Sequence, residues 1–369
     1  MNRNRARAFA YQALPMRVVM GPGVVAQLPD EIDRAGLERV LVLCSPEQEE
    51  LGHAVAQLIG DRAAGVHPHA RMHVPVESVA EARDRVAELG ADGCVTVGGG
   101  SAIGLGKAIA LEHGLKIIAV PTTYAGSEMT SVWGLTENGR KRTGKDLRVL
   151  PVSVLYDPEL TLSLPPAVSA TSGMNAIAHA VEALYAPDAS PVISLMAEDG
   201  TRALATTLPA VVADGADVLA RAEAQYGAWL CGVCLGATTM SLHHKLCHTL
   251  GGTLDLPHAD THTVVLPHAL AYNQPSAPEA VAALGRALGG ADPAVALWEL
   301  ARKLGAPGSL RELGMKEAAI DRIVELALAA PYANPREVTA EGLTRLLRRA
   351  WAGEPPTPLT EPDTTTGVP

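Results

Sequence analysis

The sequence is poor in aromatic residues and has no surplus of positive charge. Only 3% of its 369 residues are aromatic, with a single Phe, so it offers little surface on which nucleic-acid bases could stack. Lys and Arg number 30 against 40 Asp and Glu, which gives a formal net charge of −10. A chain of this charge has no general attraction for nucleic acid or an anionic membrane, and we expect neither as a partner.

Long apolar runs and paired cysteines are also lacking. No apolar stretch reaches the roughly 18 residues that a membrane span needs. The five cysteines are odd in number and scattered, and no secretory signal opens the chain, a pattern typical of the reducing cytosol. We therefore expect a cytoplasmic protein. Cys231 and Cys234 lie in an apolar helical stretch and are interpreted as buried structural thiols.

The first half of the sequence alternates short strand-like runs with amphipathic stretches. Val40 to Leu43, Cys94 to Val97 and Ile117 to Val120 predict buried strands, and Val76 to Leu89 predicts an amphipathic helix. Such alternation is typical of βαβ units and a parallel sheet. A basic run at 140–148 is interpreted as a solvated loop.

Three regions follow from this pattern. Residues 1–160 are predicted to form an α/β dinucleotide-binding domain. Beyond them the strand signal ends, and Ala- and Leu-rich patterns predict an all-helical domain over 161–352, with the active site between the two domains. Residues 353–369 are dense in Pro and Thr, so they cannot bury enough apolar surface to form a core and are predicted to be a disordered tail.

A glycine-rich loop follows the predicted strand Cys94 to Val97. It consists of Gly98, Gly99 and Gly100, and Ser101 then leads into a predicted helix. Glycines at such a turn let a pyrophosphate approach the backbone, while the free N–H groups of the helix N-terminus stabilise its charge. The spacing is not the G-x-G-x-x-G fingerprint, so a plain turn with Ser101 as helix N-cap is the competing interpretation.

A second loop follows the next strand, and it is rich in hydroxyl groups. Its sequence is PTTYAGS, and Thr122, Thr123 and Ser127 supply the hydroxyls. Ligands of open α/β sheets bind at the carboxyl ends of the strands, where both loops lie. Together the two loops predict a nucleotide site at this edge.

Half of the twelve histidines fall in one short stretch of the second half. They are His243, His244, His248, His258, His262 and His268. On a helix, His244 and His248 share a face, as do Asn175 and His179 earlier in the chain. These faces and His258 could converge as a metal site or as proton-transfer and substrate-binding groups.

Four motifs carry a resemblance to a known family. GGGS at 98–101, PTTYAGSE at 121–128, SGMNAIAHA at 172–180 and HHKLCHTLGGTLDLPHADTHTVVLPHA at 243–269 resemble the iron-containing alcohol dehydrogenases. The resemblance implies an α/β nucleotide-binding domain joined to an all-helical domain, as in dehydroquinate synthase, and a homodimer. Within the family the sequence is most similar to the branch that reduces 2-maleylacetate to 3-oxoadipate with NADH or NADPH during aromatic degradation. The expected partner is therefore a small dicarboxylate substrate.

The resemblance also implies where a metal would bind. The family's four ligand positions correspond to Asn175, His179, His244 and His258, and the first of them is usually Asp. Gly104 likewise stands where metal-dependent relatives carry Asp. An amide oxygen is a poor ligand for a divalent metal, and the site loses the negative charge that offsets the ion. We therefore expect a vestigial ligand set and no required metal.

Without a metal, protein cations must stabilise negative charge on the substrate. Lys245 and a protonated histidine among His179, His244, His248 and His258 are the predicted catalytic groups.

Other functions stay open at this point. They are a metal-dependent alcohol or polyol dehydrogenase on the same scaffold, a dehydroquinate-synthase-like lyase that recycles NAD, and a non-catalytic metal-binding protein. The nicotinamide is open as well. Ser45 ends the first clear strand where the family often has an acidic residue that disfavours a 2′-phosphate, so both NADH and NADPH are compatible.

Overall fold

The computed structural model describes residues 9–137, 140–290 and 292–357. Its strands are β1 (Arg17–Met20), β2 (Val40–Leu43), β3 (Ala63–His67), β4 (Gly93–Gly98), β5 (Lys116–Pro121), β6 (Val132–Glu137), β7 (Arg140–Lys145) and β8 (Ser153–Tyr156). Six of them form one parallel sheet in the order β1-β8-β5-β4-β2-β3, and β6 and β7 form a separate antiparallel hairpin.

Helices connect and cover the sheet in the first half and make up almost all of the second. They are α1 (Leu28–Ala35), α2 (Glu49–Ile59), α3 (Val76–Leu89), α4 (Gly100–His113), α5 (Pro166–Leu184), α6 (Pro191–Ala213), α7 (Val218–Ala237), α8 (Leu242–Leu254), α9 (His258–Asn273), α10 (Pro278–Ala287), α11 (Pro293–Lys303), α12 (Ile320–Leu328) and α13 (Ala340–Ala352). The predicted α/β half and helical half are both present. No described helix is long and apolar enough to cross a membrane.

The parallel sheet brings the ends of its central strands to one edge. The residues of β2 and β4 are buried throughout, as expected for strands with helices on both faces. The register pairs Gly98 at the end of β4 with Pro121 at the end of β5. The two loops singled out in the sequence therefore begin side by side.

The glycine loop differs in one detail from its prediction. Helix α4 begins at Gly100, so Gly99 is the N-cap and Ser101 lies inside the first turn. The competing interpretation, in which Ser101 is the helix N-cap, was therefore wrong. Gly99 has an extended backbone that ends the strand and opens the helix, although it offers no side-chain cap.

The hairpin of β6 and β7 corrects the interpretation of the basic run as a loop. Residues 140–145 form β7, which pairs antiparallel with β6. Among its described side chains, Arg142, Thr143 and Lys145 are exposed and Gly144 is half-buried, so this part of the strand has no apolar alternation that would have predicted it. The strand pairs along its length with β6.

The helical half packs around α5, whose residues 169–183 are all buried. Small side chains allow its neighbours to approach closely, since a Cβ at Gly200 of α6 would lie 3.1 Å from the backbone oxygen of Gly227 in α7. Cys231 and Cys234 are buried here as free thiols, as predicted, and burial raises the pKa of both.

The predicted division at residue 160 stays a prediction. Residues 353–357 contain no helix or strand. Most of the predicted tail, residues 358–369, lies outside the described residues.

Candidate active site

The glycine edge, formed by Gly98, Gly99, Gly100 and Ser101, is open at the N-terminus of α4. Gly98 has a φ of +143°, which L side chains rarely adopt. A Cβ at Gly99 would lie 2.9 Å from Thr123 Cγ2, whereas one at Gly100 would meet no atom within 4 Å. The first N–H groups of a helix have no intrahelical partner, so this edge fits a phosphate group.

Residues 121–131, here called the β5–β6 segment, run beside the glycine edge. Thr122 donates its N–H to Gly98 O at 3.2 Å, and its Oγ1 accepts a hydrogen bond from Gln48 Nε2 at 2.7 Å. Its hydroxyl is therefore already engaged. Thr123 and Ser127 are half-buried, so they are the better placed of the predicted hydroxyls to meet a ligand.

The far part of the β5–β6 segment reaches the helical half. Gly126 has a φ of +80°, and a Cβ there would lie 3.0 Å from Gly232 Cα and 3.4 Å from His179 Nδ1. Any side chain at this position would push against α7 and the imidazole. The segment thus joins the glycine edge to the first of the predicted catalytic histidines.

Six histidines from α5, α8 and α9 form one cluster, here called the histidine cluster. They are His179, His243, His244, His248, His258 and His262. Neighbouring ring centroids lie between 4.3 and 6.5 Å apart. The four histidines predicted from the sequence are therefore brought together. The structure adds His243 and His262, which the sequence did not assign to the site.

The cluster is layered from solvent to core. His248 and His258 are exposed, whereas His179 and His244 are buried at 3% and 5% exposure. Behind them His262 is fully buried. A ligand that enters from the solvent side meets the exposed pair first.

Glu182 is the charged residue of this site that the sequence analysis missed. It lies on α5, three residues after His179, and is fully buried. Its carboxylate accepts hydrogen bonds from His244 Nδ1 at 2.7 Å and from the backbone N–H groups of Ser241 and His243, each at 2.7 Å. The spacing of three from His179 placed it on the same helix face and could have identified it.

Burial fixes the charge of the inner histidines. It lowers the pKa of His179, His243 and His262 well below the ordinary value, and the neighbouring imidazoles lower it further. His179 is therefore neutral at neutral pH and is not the protonated histidine that the sequence argument allowed. His243 Nε2 and His262 Nδ1 share a hydrogen bond of 3.0 Å. This bond needs a proton on only one of the two nitrogens, so two neutral imidazoles can form it.

The family's ligand positions fit a divalent metal in two respects. Within the described chain, Asn175 Oδ1 and His244 Nε2 are buried polar atoms without a hydrogen-bond partner. His244 also donates to a carboxylate through its other nitrogen, an arrangement that commonly supports metal ligands. Glu182 places a carboxylate behind His244, outside the four ligand positions, so the expectation that the ligand set itself has lost its anionic member stays a prediction.

A second group of possible metal ligands lies deeper in the helical half. His243, Cys247 and His262 are buried and have potential ligand atoms within 4.8 Å of one another. Burial raises the pKa of the Cys247 thiol well above its ordinary value, which disfavours the thiolate that a metal needs. The His243–His262 hydrogen bond already uses the facing nitrogens, so a buried polar contact explains this group.

Lys245 lies on α8 between His244 and His248. Its side chain is half-buried, and Nζ lies 5.8 Å from the ring centroid of Tyr332. A cation above an aromatic face is stabilised without being neutralised by a carboxylate.

Comparisons with known proteins agree with this arrangement. A family model described as iron-containing alcohol dehydrogenase matches residues 15–158, and one described as the C-terminal part of that family matches residues 169–351. These matches, which cover both the glycine edge and the histidine cluster, identify the chain as an oxidoreductase. The chain belongs to the iron-containing alcohol dehydrogenase family.

Several relatives carry a more specific name. Maleylacetate reductase of Pseudomonas sp. (strain P51) is 54% identical over 350 residues, which are 95% of this chain and 99% of the relative. That of Sphingobium indicum is 55% identical over 348 residues, 94% and 99% of the two chains. The crystal structure of maleylacetate reductase from Agrobacterium tumefaciens is 50% identical, covers 95% of this chain and 100% of its own, and superposes with a TM-score of 0.92.

Proposed function

We propose that this chain reduces the carbon–carbon double bond of 2-maleylacetate to give 3-oxoadipate, using NADH or NADPH, in the degradation of aromatic compounds. The observation that carries the proposal is the identity of more than half to maleylacetate reductases over nearly the full length of both chains. The site agrees, because it combines a phosphate-compatible edge with a lysine and a cluster of imidazoles.

The glycine edge is proposed to hold the cofactor pyrophosphate. Gly100 faces open space, since a Cβ there would meet no atom within 4 Å, and the N–H groups of the first turn of α4 are proposed to donate to the phosphate oxygens. Thr123 and Ser127 line the path from this edge towards the histidines. When bound, the reduced nicotinamide supplies the hydride that one carbon of the substrate double bond receives.

Lys245 is proposed to stabilise the negative charge of the substrate. Reduction of an enone places charge on the carbonyl oxygen, and a preorganised ammonium lowers the energy of that enolate. The substrate is also a dicarboxylate, which a protein of net charge −10 attracts only through a local positive group. Lys245 is proposed to meet both needs, and its Nζ lies 5.8 Å from the Tyr332 ring centroid, within cation–π distance.

The histidines are proposed to handle the proton. The product gains one hydrogen as hydride and one as a proton. The exposed His248 and His258, whose rings stack with centroids 6.3 Å apart, are placed to deliver that proton. His179 and His244 lie behind them, and Glu182 fixes the orientation and tautomer of His244.

We further propose that no metal is required. If a divalent ion binds, Asn175, His179, His244 and His258 would hold it, and it would polarise the substrate carbonyl. The support is the neutral amide of Asn175, which is a weaker ligand than the Asp that this position carries elsewhere in the family. The carboxylate of Glu182 favours metal binding, because it supplies negative charge behind His244. The metal content of the purified protein is therefore part of the test.

The test is the oxidation of NADH and of NADPH by maleylacetate, followed at 340 nm before and after exhaustive chelation. We expect turnover with at least one nicotinamide, retained after chelation, and Asn175→Asp should raise metal affinity without becoming necessary for reduction. Loss of activity that iron or zinc restores would contradict the metal-free proposal. Turnover of simple alcohols or polyols, but not of maleylacetate, would favour the alcohol dehydrogenase alternative.

The oligomeric state, the cellular location and the domain boundaries are finer parts of the same proposal. We infer a homodimer in the cytoplasm, supported by the family resemblance and by five free, buried cysteines. We also infer that residues 1–160 form the dinucleotide-binding domain and 161–352 the helical active-site domain. The support is that the described sheet ends at Tyr156 and the long helices begin at Pro166.

A further inference from the structure

A fully buried lysine underlies the β5–β6 segment. Lys107 lies on α4, two helical turns beyond the glycine edge, and is 1% exposed. Lysine is almost never buried unless its charge is paired or fully hydrogen-bonded. Its environment therefore indicates a specific task, although the proposed chemistry does not use it.

The ammonium of Lys107 is surrounded by oxygens of one short stretch of chain. Nζ lies 2.6 Å from Ser127 O, 2.7 Å from Thr130 O, 2.9 Å from Thr130 Oγ1 and 2.9 Å from Val132 O. All four acceptors belong to the end of the β5–β6 segment and the first residue of β6. One side chain thus ties an irregular segment to the helix that begins at the glycine edge.

The hydrogen bonds favour the charged form of this lysine. A neutral amine has two N–H donors and an ammonium has three, so four close acceptors select the ammonium. Burial lowers the pKa of Lys107 to about 7, and the buried Glu128 carboxylate opposes that change. The charged form makes the stronger hydrogen bonds, so it holds the segment most firmly.

The segment that Lys107 holds is the one that touches the histidine cluster. Ser127 follows Gly126, where an added Cβ would lie 3.4 Å from His179 Nδ1. From the other side, Tyr124 accepts a hydrogen bond at 3.3 Å from Arg221, a buried residue of α7. The segment is therefore fixed at both ends of its contact with the helical half.

We propose that Lys107 is a positioning residue for the reduction. By anchoring the β5–β6 segment to α4, it sets the distance and angle between the pyrophosphate-holding edge and the imidazole of His179. This rests on the proposed function and adds a residue that touches neither cofactor phosphate nor substrate. Displacement of reacting groups by about 1 Å can cost on the order of 10²-fold in rate.

The test compares Lys107→Met with Lys116→Met. Met keeps the length and apolar stem of Lys107 and removes its donors. Lys116 is an exposed lysine that donates to Ala35 O in the α/β half, so its loss controls for removal of a lysine hydrogen bond. The readouts are cofactor dissociation constant by NADH fluorescence, kcat with maleylacetate, and amide hydrogen exchange of residues 121–132 in the cofactor-free protein.

We expect Lys107→Met to lower kcat at least tenfold, to change the cofactor dissociation constant by less than about threefold, and to speed amide exchange in residues 121–132. Lys116→Met should do none of these. A folded Lys107→Met protein with unchanged kcat, or with its main defect in cofactor affinity, would overturn the proposal.

If Lys107→Met does not fold, Thr130→Val replaces it in the same assays. This change keeps the side-chain shape and removes one acceptor of the Lys107 ammonium, together with the bonds that the same hydroxyl makes to Ser127 O and to the Val132 N–H. A loss of kcat of about threefold or more with faster exchange supports the proposal, and unchanged values overturn it. A wild-type protein that fails to reduce maleylacetate refutes the proposed function instead, whereas the exchange measurement needs no substrate and tests the anchoring by itself.

Discussion

The glycine edge and the histidine cluster are built by opposite means. The glycine edge works through missing side chains, since a Cβ at Gly100, the first residue of α4, would meet no atom within 4 Å and one at Gly99 would press on Thr123. The histidine cluster is crowded with titratable side chains whose rings lie as close as 4.3 Å. The first arrangement suits a ligand of fixed charge, and the second suits groups that exchange protons or bind a metal.

The two regions also differ in how they are supported. The glycine edge is held by local backbone geometry, such as the pairing of Gly98 with Pro121 across β4 and β5. The histidine cluster needs a buried carboxylate from another helix, because Glu182 accepts hydrogen bonds from the start of α8. Substitutions in the two regions should therefore change different kinetic constants.

The largest effect is expected at Lys245. Lys245→Ala removes the cation that the proposal assigns to the enolate, so kcat/KM for maleylacetate should fall by on the order of 10²-fold or more. Cofactor affinity should change little, since the lysine belongs to the histidine side of the site. Lys316→Ala, at an exposed lysine of the helical half, is the matched control in steady-state kinetics.

Near-normal kcat/KM in Lys245→Ala would remove this lysine from the mechanism. A defect mainly in cofactor affinity would place it in the cofactor site instead. Either result would return the electrostatic role to a protonated histidine or to a bound metal.

A smaller effect is expected at Glu182. Glu182→Gln keeps the shape of the side chain, but it presents an NH₂ group to donors that need an acceptor. We expect kcat to fall about tenfold, as for other partners that orient a functional histidine. The melting temperature should fall as well, because an unsatisfied buried group costs about 1–3 kcal/mol.

Thermal denaturation and steady-state kinetics of Glu182→Gln separate the two effects. A lower melting temperature with full kcat below that temperature would show that Glu182 only stabilises the fold. The orientation of His244 would then have to come from its other neighbours.

The sequence predicted the parts of the site that depend on local pattern. The glycine loop lies between a strand and a helix that are both predicted from their residues. His244 and His248, like Asn175 and His179, follow helical spacing, and the family resemblance adds His258. Their convergence was confirmed by ring distances such as 5.1 Å between His179 and His244. The family resemblance was confirmed by family models over both halves of the chain.

The missed features depend on contacts distant in sequence or on irregular chain. Glu182 bonds to residues about sixty positions later, so its spacing from His179 indicates its helix face but not these partners. The four acceptors of Lys107 lie in the β5–β6 segment and the start of β6, where the carbonyls that matter are backbone atoms. Backbone oxygens carry no side-chain signature, so only the folded chain shows why this lysine is buried.

The most direct test of a division between the two regions is Gly99→Val, measured for cofactor affinity and for turnover in the same preparation. A Cβ at Gly99 would already lie 2.9 Å from Thr123 Cγ2, so valine would push against Thr123 and displace the two loops that are proposed to hold the cofactor. The account predicts a cofactor dissociation constant raised at least tenfold, a loss of about 1.4 kcal/mol of binding, with kcat at saturating cofactor nearly retained. Unchanged cofactor affinity in a folded Gly99→Val protein would show that the glycine edge is only a turn, and it would contradict the account.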